Sequence, residues 1–472
     1  MNKTNFSTLR GMMNAILLTD SYKLTHWQQL PPNTQKIHSF FESRGGKFPE
    51  VTFFGLQYYL KEYLSGQRIR YEDIVEAKND CELHFGATGL FNEAGWTKVI
   101  SQYNGALPIR ISAVPEGLTI PTRNVLMAVE NTDWEMPWLT NYFEPLLSMV
   151  WYPSTVATQS RQMRRAVYDS LLQTGDTGLV DYKVHDFGFR GSTSVESAGI
   201  GAMAHLTSFS GTDTLPGIVY ARRYYGERMA GNSIPAAEHS TITSWGRGNE
   251  VDAYKNMLRQ FPTGYVAVVS DSYDIYNACD QLWGVELKEQ VLNRDGTLVI
   301  RPDSGEPVEV VLKVLNILGD RFDKTQNDKG YWVLNPKIRV IQGDGINYEM
   351  IQKLLVALEA NGWSSDNLAF GSGGGLLQNM NRDTQKFAMK ASAIYRNNVW
   401  GDVMKDPITD SGKRSKAGRM ALVHTDGTYK TIRLEEAERL GLPNLLQPVF
   451  ENGTILRDTT FAEVRERVRS VN

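Results

Sequence analysis

Acids, arginines and glycines recur directly after short apolar runs in the middle of this chain. "YVAVVS" leads into "DSYD" at Asp271, and "TLVI" leads into "RPDSG" at Arg301 and Asp303. "IRVI" leads into "QGDG" at Gly343 and Asp344, and "NLAF" leads into "GSGGG" with Gly373, Gly374 and Gly375. Upstream, "HDFGFRG" supplies Asp186, Phe187 and Arg190, "SGTDT" supplies Asp213 and "AAEHST" supplies His239. These residue types suit a phosphorylated sugar together with a flat ring. Guanidinium grips phosphate bidentately. Carboxylates suit sugar hydroxyls or Mg²⁺. Consecutive glycines let backbone N–H groups press onto a phosphate, and Phe187 offers a stacking face. A single Asp after a strand is often only a helix N-cap. Four consecutive loops with acid, Gly or Arg exceed what capping needs.

For these residues to meet, the runs must be parallel strands whose ends share one face. Each run is short and β-branched or apolar, as buried parallel strands are. Helical patterns lie between them. In "EPVEVVLKVLNILGDRF" Val310, Val311, Val314, Leu315 and Leu318 recur at helical spacing. The expected fold is therefore α/β, with βα repetition that fits an irregular (β/α)₈-like barrel over 176–380. Residues 1–175 mix strands and helices, with breaks or kinks expected at Pro145 and Pro153. Residues 381–472 return to β-like sequence, with a hairpin signal at Asp426-Gly427 and capping-box spacing at Thr460 and Glu463. The two end segments are expected to form one mixed α+β domain.

The 472 residues carry a formal net charge of −3, with 41% hydrophobic and 22% charged residues. That balance belongs to a soluble globular protein and disfavours a general nucleic-acid or membrane-surface binder. Two cysteines, no span-length apolar run and no secretory h-region point to a cytoplasmic protein. The basic stretch "GKRSKAGR" at 412–419 reads as a solvated loop or as a phosphate contact. "DFG" at 186–188 lacks the other kinase motifs, "GKRS" lacks the P-loop's upstream glycine, and neither HExxH nor CxxC occurs.

The ordered motifs "LLTDSYKLTH", "HDFGFRG", "GTDT", "PAAEHSTITSWG", "VVSDSYDIYNAC", "IRPDSG", "VIQGDG", "AFGSGGGLLQ" and "KDP" closely resemble the nicotinamide phosphoribosyltransferase family, a type II phosphoribosyltransferase group. The resemblance implies transfer of a phosphoribosyl group from 5-phosphoribosyl 1-diphosphate to nicotinamide in NAD salvage, with Mg²⁺ as cofactor. It also implies ATP coupling through a phosphohistidine and a homodimer with shared active sites. By the same resemblance, Phe187 and a partner's Tyr22 sandwich the pyridine, and Asp213 accepts from the carboxamide. Arg301 and Asp303 hold ribose and diphosphate, and Gly343 and Asp344 line the ribose. Gly373 and Gly374 donate to the 5′-phosphate, with Arg382 and Lys390 of the partner closing that site. Arg190 and His239 meet the diphosphate or phosphoryl group, Asp271 orients His239, and Arg44, Lys405 and Lys413 line the diphosphate path. Direct metal ligands stay unassigned. Two departures from animal members are Phe189 in place of Tyr and Ala388 in place of a phosphate-contacting Ser. The rival readings are a nicotinate phosphoribosyltransferase and a non-catalytic binder of phosphorylated ligands.

Overall fold

A computed structural model describes residues 13–406, 408–409 and 415–470. The chain forms two compact units, one of residues 1–158 with 381–472 and the other of residues 159–380. One division between the units falls inside the Trp151–Thr174 helix and the other directly after Met380. Pro145 and Pro153 sit in the first turns of the Glu144–Ser148 and Trp151–Thr174 helices. There a missing N–H costs nothing, so these prolines begin helices rather than kink them.

The unit built from both chain ends holds a seven-stranded sheet. Its order is Val399–Asp402, Phe387–Arg396, Thr34–Ser43, Val125–Asn131, Ile109–Ala113, Gln447–Glu451 and Thr454–Ile455. Every neighbouring pair is antiparallel. Three strands from the N-terminal segment form the middle of the sheet and two from the C-terminal segment flank them on each side, which makes this unit discontinuous in sequence. Phe40 and Phe41, on successive residues of the interior Thr34–Ser43 strand, are both fully buried. Asp426 and Gly427 turn the Met420–Thr425/Thr428–Arg433 hairpin with φ of 52° and 71°, as a tight two-residue loop demands. Thr460 and Glu463 form the expected capping box of the last helix.

The 159–380 unit carries the parallel sheet. Its order is Gly211–Thr212, Val184–Asp186, Leu368–Ser372, Ile338–Gln342, Asp295–Arg301 and Thr263–Val269, every pair parallel. One extended segment then joins the two edges. Thr212 N donates to Asn232 O at 3.1 Å, while Ala267 N donates to Pro235 O and Ala237 N to Ala267 O, both at 2.9 Å. The expected parallel α/β architecture is present, with six strands and this bridging segment among the described residues rather than eight strands. Intervening helices such as Pro307–Phe322 and Tyr348–Ala360 bury the apolar faces read from the sequence, including Val311, Val314, Leu315 and Leu318.

Near the N-terminal ends of the strands, Lys183 Nζ is buried and donates to the carbonyls of Ser365, Asp366 and Leu368 at 2.8, 3.1 and 3.0 Å. Burial pushes its ammonium down to about 7. The C-terminal ends and the loops after them carry the chemistry.

Candidate active site

Strand alternation decides what faces the interior of the parallel unit. Ala267, Val299 and Ile341, on three adjacent strands, pack as one cluster with Phe187, Ile234 and Ala369 against it. Above this apolar floor opens a cavity of about 1260 Å³. It is lined by Phe187, Arg190, Asp213, His239, Arg301, Asp303, Gly343, Asp344, Gly373 and Gly374. The loops that follow separate strands in sequence thus meet at one mouth, as the sequence expectation required.

Phe187 is held from both sides. Its N–H donates to Ser372 O at 2.9 Å. Its ring lies on the backbone of Gly371, where an added Cβ would meet the ring at 2.0 Å. Asp186, fully buried, accepts from Gly188 N at 2.7 Å and from Thr212 Oγ1 at 3.2 Å, which fixes the turn that carries the ring. Burial raises the Asp186 carboxyl above its ordinary range, and its backbone and hydroxyl donors oppose that rise. Asp213 stands next to it, its N–H donating to Asp186 O at 3.0 Å. Ser233 Oγ hydrogen-bonds to Asp213 Oδ1.

The glycines of "GSGGG" divide by role. A Cβ on Gly371 would strike Phe187, and one on Gly375 would sit 2.5 Å from Ile346 O. Gly373 and Gly374 meet nothing nearer than 3.4 Å. These two are the open ones. Gly374 begins the Gly374–Leu377 turn, so the N–H groups of Gly374 and Gly375 have no acceptor within that turn.

His239 opens the His239–Thr243 helix and has a side chain 46% exposed. Its Nε2 lies 3.4 Å from Asp303 Oδ2 and 3.7 Å from Asp271 Oδ1, and its Nδ1 lies 3.3 Å from Ser272 Oγ. Asp271 is nearly buried and uses its other oxygen elsewhere, accepting from Asp303 N at 3.0 Å and Ser304 Oγ at 2.5 Å. Asp271 Oδ1 is buried without a hydrogen-bond partner, while the hydrogen bonds of Oδ2 shape the 303–304 loop. Arg301 Nε is buried without a hydrogen-bond partner, 3.9 Å from Asp303 Oδ1. Gln342 Nε2 donates to Asp344 O at 3.1 Å and steadies the neighbouring loop.

The remaining expected residues belong to the other unit. Tyr22 is 55% exposed, and Lys23 Nζ lies 5.4 Å from its ring centre. Lys23 pairs with Glu144 at 2.7 Å, and Lys390 approaches the same carboxylate at 3.9 Å. Burial holds the Lys390 amine below its ordinary value; Glu144 opposes this, and Arg44, Lys23 and Arg382 add to it. These residues form one basic cluster with an exposed aromatic beside it. Arg44 also pairs with Glu42 at 3.3 Å. Lys405 exchanges hydrogen bonds with Ser415 through its backbone. Lys413 lies outside the described residues.

Sequence reasoning missed Ser233, Ser272 and Gln378. Ser233 precedes one quoted motif, Ser272 lies inside another and Gln378 ends a third. Only their contacts mark them, because Ser and Gln are common in any loop. No group of three or more candidate metal-ligating side chains occurs among the described residues. Asp303 and Asp344 are nevertheless at the cavity. Magnesium characteristically binds through one or two carboxylates together with substrate phosphates, so this donor set fits it.

Residues 182–454 match the model of the nicotinate phosphoribosyltransferase (NAPRTase) family, and residues 14–111 match the nicotinamide phosphoribosyltransferase N-terminal domain. The chain is 50% identical over 460 residues to a nicotinamide phosphoribosyltransferase of Xanthomonas campestris pv. campestris, covering 96% of this chain and 97% of that one. It is 31% identical to a protein of the same name from Acinetobacter baylyi, covering 97% of each. Among solved structures, nicotinate-nucleotide pyrophosphorylase from Pyrococcus furiosus superposes with a TM-score of 0.62 at 15% identity, over 99% of this chain and 97% of that one. Human nicotinic acid phosphoribosyltransferase does so with a TM-score of 0.55 at 16% identity, over 96% and 93%. At those identities the two structures speak for the fold.

Proposed function

The chain belongs to the nicotinate phosphoribosyltransferase family, and from that premise we propose that it joins nicotinamide to 5-phosphoribosyl 1-diphosphate. The products are nicotinamide mononucleotide and diphosphate, in pyridine nucleotide biosynthesis. The observation that carries the choice of base is Asp213, hydrogen-bonded by Ser233 at the cavity that Phe187 floors. A carboxylate accepts from a carboxamide NH₂ and repels a carboxylate substrate.

Phe187 stacks on the pyridine and holds its weakly nucleophilic nitrogen in line with the anomeric carbon. That carbon becomes oxocarbenium-like as diphosphate leaves. Arg190 and Arg301 offset the leaving charge. Asp303, Gly343 and Asp344 orient the ribose, and the open backbone at Gly373 and Gly374 receives the 5′-phosphate. Asp303 or Asp344 would hold magnesium, which would supply further charge neutralisation. His239 accepts the γ-phosphoryl group of ATP, which leaves as ADP, with the carboxylates of Asp271 and Asp303 beside its Nε2.

The functional assembly is a cytoplasmic homodimer in which the partner's Tyr22, Arg382 and Lys390 complete each cavity, with Arg44, Lys405 and Lys413 along the diphosphate path. The basic cluster around Glu144 and the exposed Tyr22 ring support that reading. Mixing inactive Tyr22→Ala and Asp213→Ala chains should restore one intact site per heterodimer. Verified exchange with no recovered activity contradicts shared sites.

The deciding experiment is mass detection of product from the activated sugar and Mg²⁺, with nicotinamide and nicotinate run side by side. Preferential formation of nicotinamide mononucleotide supports the proposal. Preferential formation of nicotinate mononucleotide makes the chain a nicotinate phosphoribosyltransferase, and no product from either base makes it a binder.

A further inference from the structure

Gln378 is the last residue of the glycine turn, its N–H donating to Gly374 O at 3.0 Å. Its side chain leaves that turn and reaches back to the 187–192 loop. Nε2 donates to Gly188 O at 3.1 Å and to Ser192 Oγ at 3.0 Å. The carbonyl of Gly188 can only accept, which fixes which end of the amide is NH₂. Oε1 is left buried with no hydrogen-bond partner. Leaving a buried acceptor unmet is costly, so the amide is held there by its other contacts.

Two glycines make room for this contact. A Cβ on Gly188 would lie 2.7 Å from Leu377 Cδ1, and one on Gly191 would lie 2.6 Å from Gln378 Oε1. Consecutive side chains of the glycine turn, one apolar and one polar, thus seat on consecutive turns of the loop that presents Phe187 and Arg190. No other side-chain hydrogen bond recorded among the described residues joins the 187–192 loop to the 373–379 segment.

We propose that Gln378 is a positioning residue that locks the ring shelf to the phosphate cradle, so that base and sugar phosphate are held in register. The inference rests on the activity proposed above. Gln378→Met keeps the length and removes both donors. Gly191→Ala leaves Gln378 intact and displaces its amide. Each is expected to raise KM for nicotinamide and for 5-phosphoribosyl 1-diphosphate together by about tenfold, with kcat within about threefold and the melting temperature unchanged. Because both act on one lock, the double variant should be no worse than the poorer single one.

KM values within twofold of wild type in folded Gln378→Met overturn the inference. So do effects that multiply in the double variant, or a rise confined to one substrate. If Gln378→Met fails to fold, Gly191→Ala alone decides by the same KM criterion. Wild-type protein is the control: no product from it counts against the activity, whereas product with unaltered variant KM values counts only against the lock.

Discussion

The ring of Phe187 occupies the space where Gly371 would carry a side chain, with only 2.0 Å between an ideal Cβ and Phe187 Cε2. The pair explains a glycine that lies two residues before the open Gly373. Overpacking of this kind typically costs about 1–3 kcal/mol. Gly371→Ala should therefore raise KM for nicotinamide by roughly 5- to 150-fold and lower the melting temperature. Steady-state kinetics and a thermal melt check this. An unchanged nicotinamide KM means the ring does not need that surface.

Asp213 should set the choice between amide and acid. Two unit charges at about 4 Å cost roughly 4 kcal/mol at an effective dielectric near 20, and nearby Arg301 softens this. A preference for nicotinamide of roughly ten- to several-hundred-fold is expected. Asp213→Asn should lose nicotinamide activity and narrow the gap. The measurement is kcat/KM for both bases in both proteins, and an unchanged ratio removes Asp213 as the selector.

His239 lies with Nε2 toward Asp303 and Asp271. His239→Ala should abolish ATP hydrolysis and its stimulation of synthesis while leaving ATP-independent synthesis, since transfer to the base needs no histidine nucleophile. Phosphate release and nucleotide formation, measured in parallel, separate the two. Full nicotinamide-dependent ATP hydrolysis in the variant would falsify the assignment.

Lys183 makes a prediction about pH. Its folded value is about 7 against an ordinary 10.5. Between those values the unfolded chain binds a proton that the folded chain lacks. Stability attributable to this group therefore rises with pH from about 7 to about 10.5, by at most about 1.4 kcal/mol per unit, and is flat below 7. Lys183→Met should be less stable, since three carbonyls lose their donor, and should lack that slope. Urea midpoints at pH 7, 8 and 9 test it, and identical slopes in the two proteins refute it.

The sequence alone determined the parallel rhythm of the middle segment, the residue types at its strand ends and the family. Strand periodicity and motif order are local, so they survive without coordinates. A helix such as Trp151–Thr174 reads continuously through a change of packing partner, so its periodicity carries no mark of where one unit ends. What only the tertiary structure decided is which glycines are open at the cavity and which are packed against protein. Gly371, Gly373, Gly374 and Gly375 are equivalent as letters. They differ only through Phe187 and Ile346, which arrive from distant positions in the chain. The same holds for Asp271, which hydrogen-bonds the 303–304 loop, and for Gln378, whose amide finds Gly188 across about 190 residues. Side-chain partners at such separation leave no periodic trace in sequence, because they are set by how strands are ordered in the sheet.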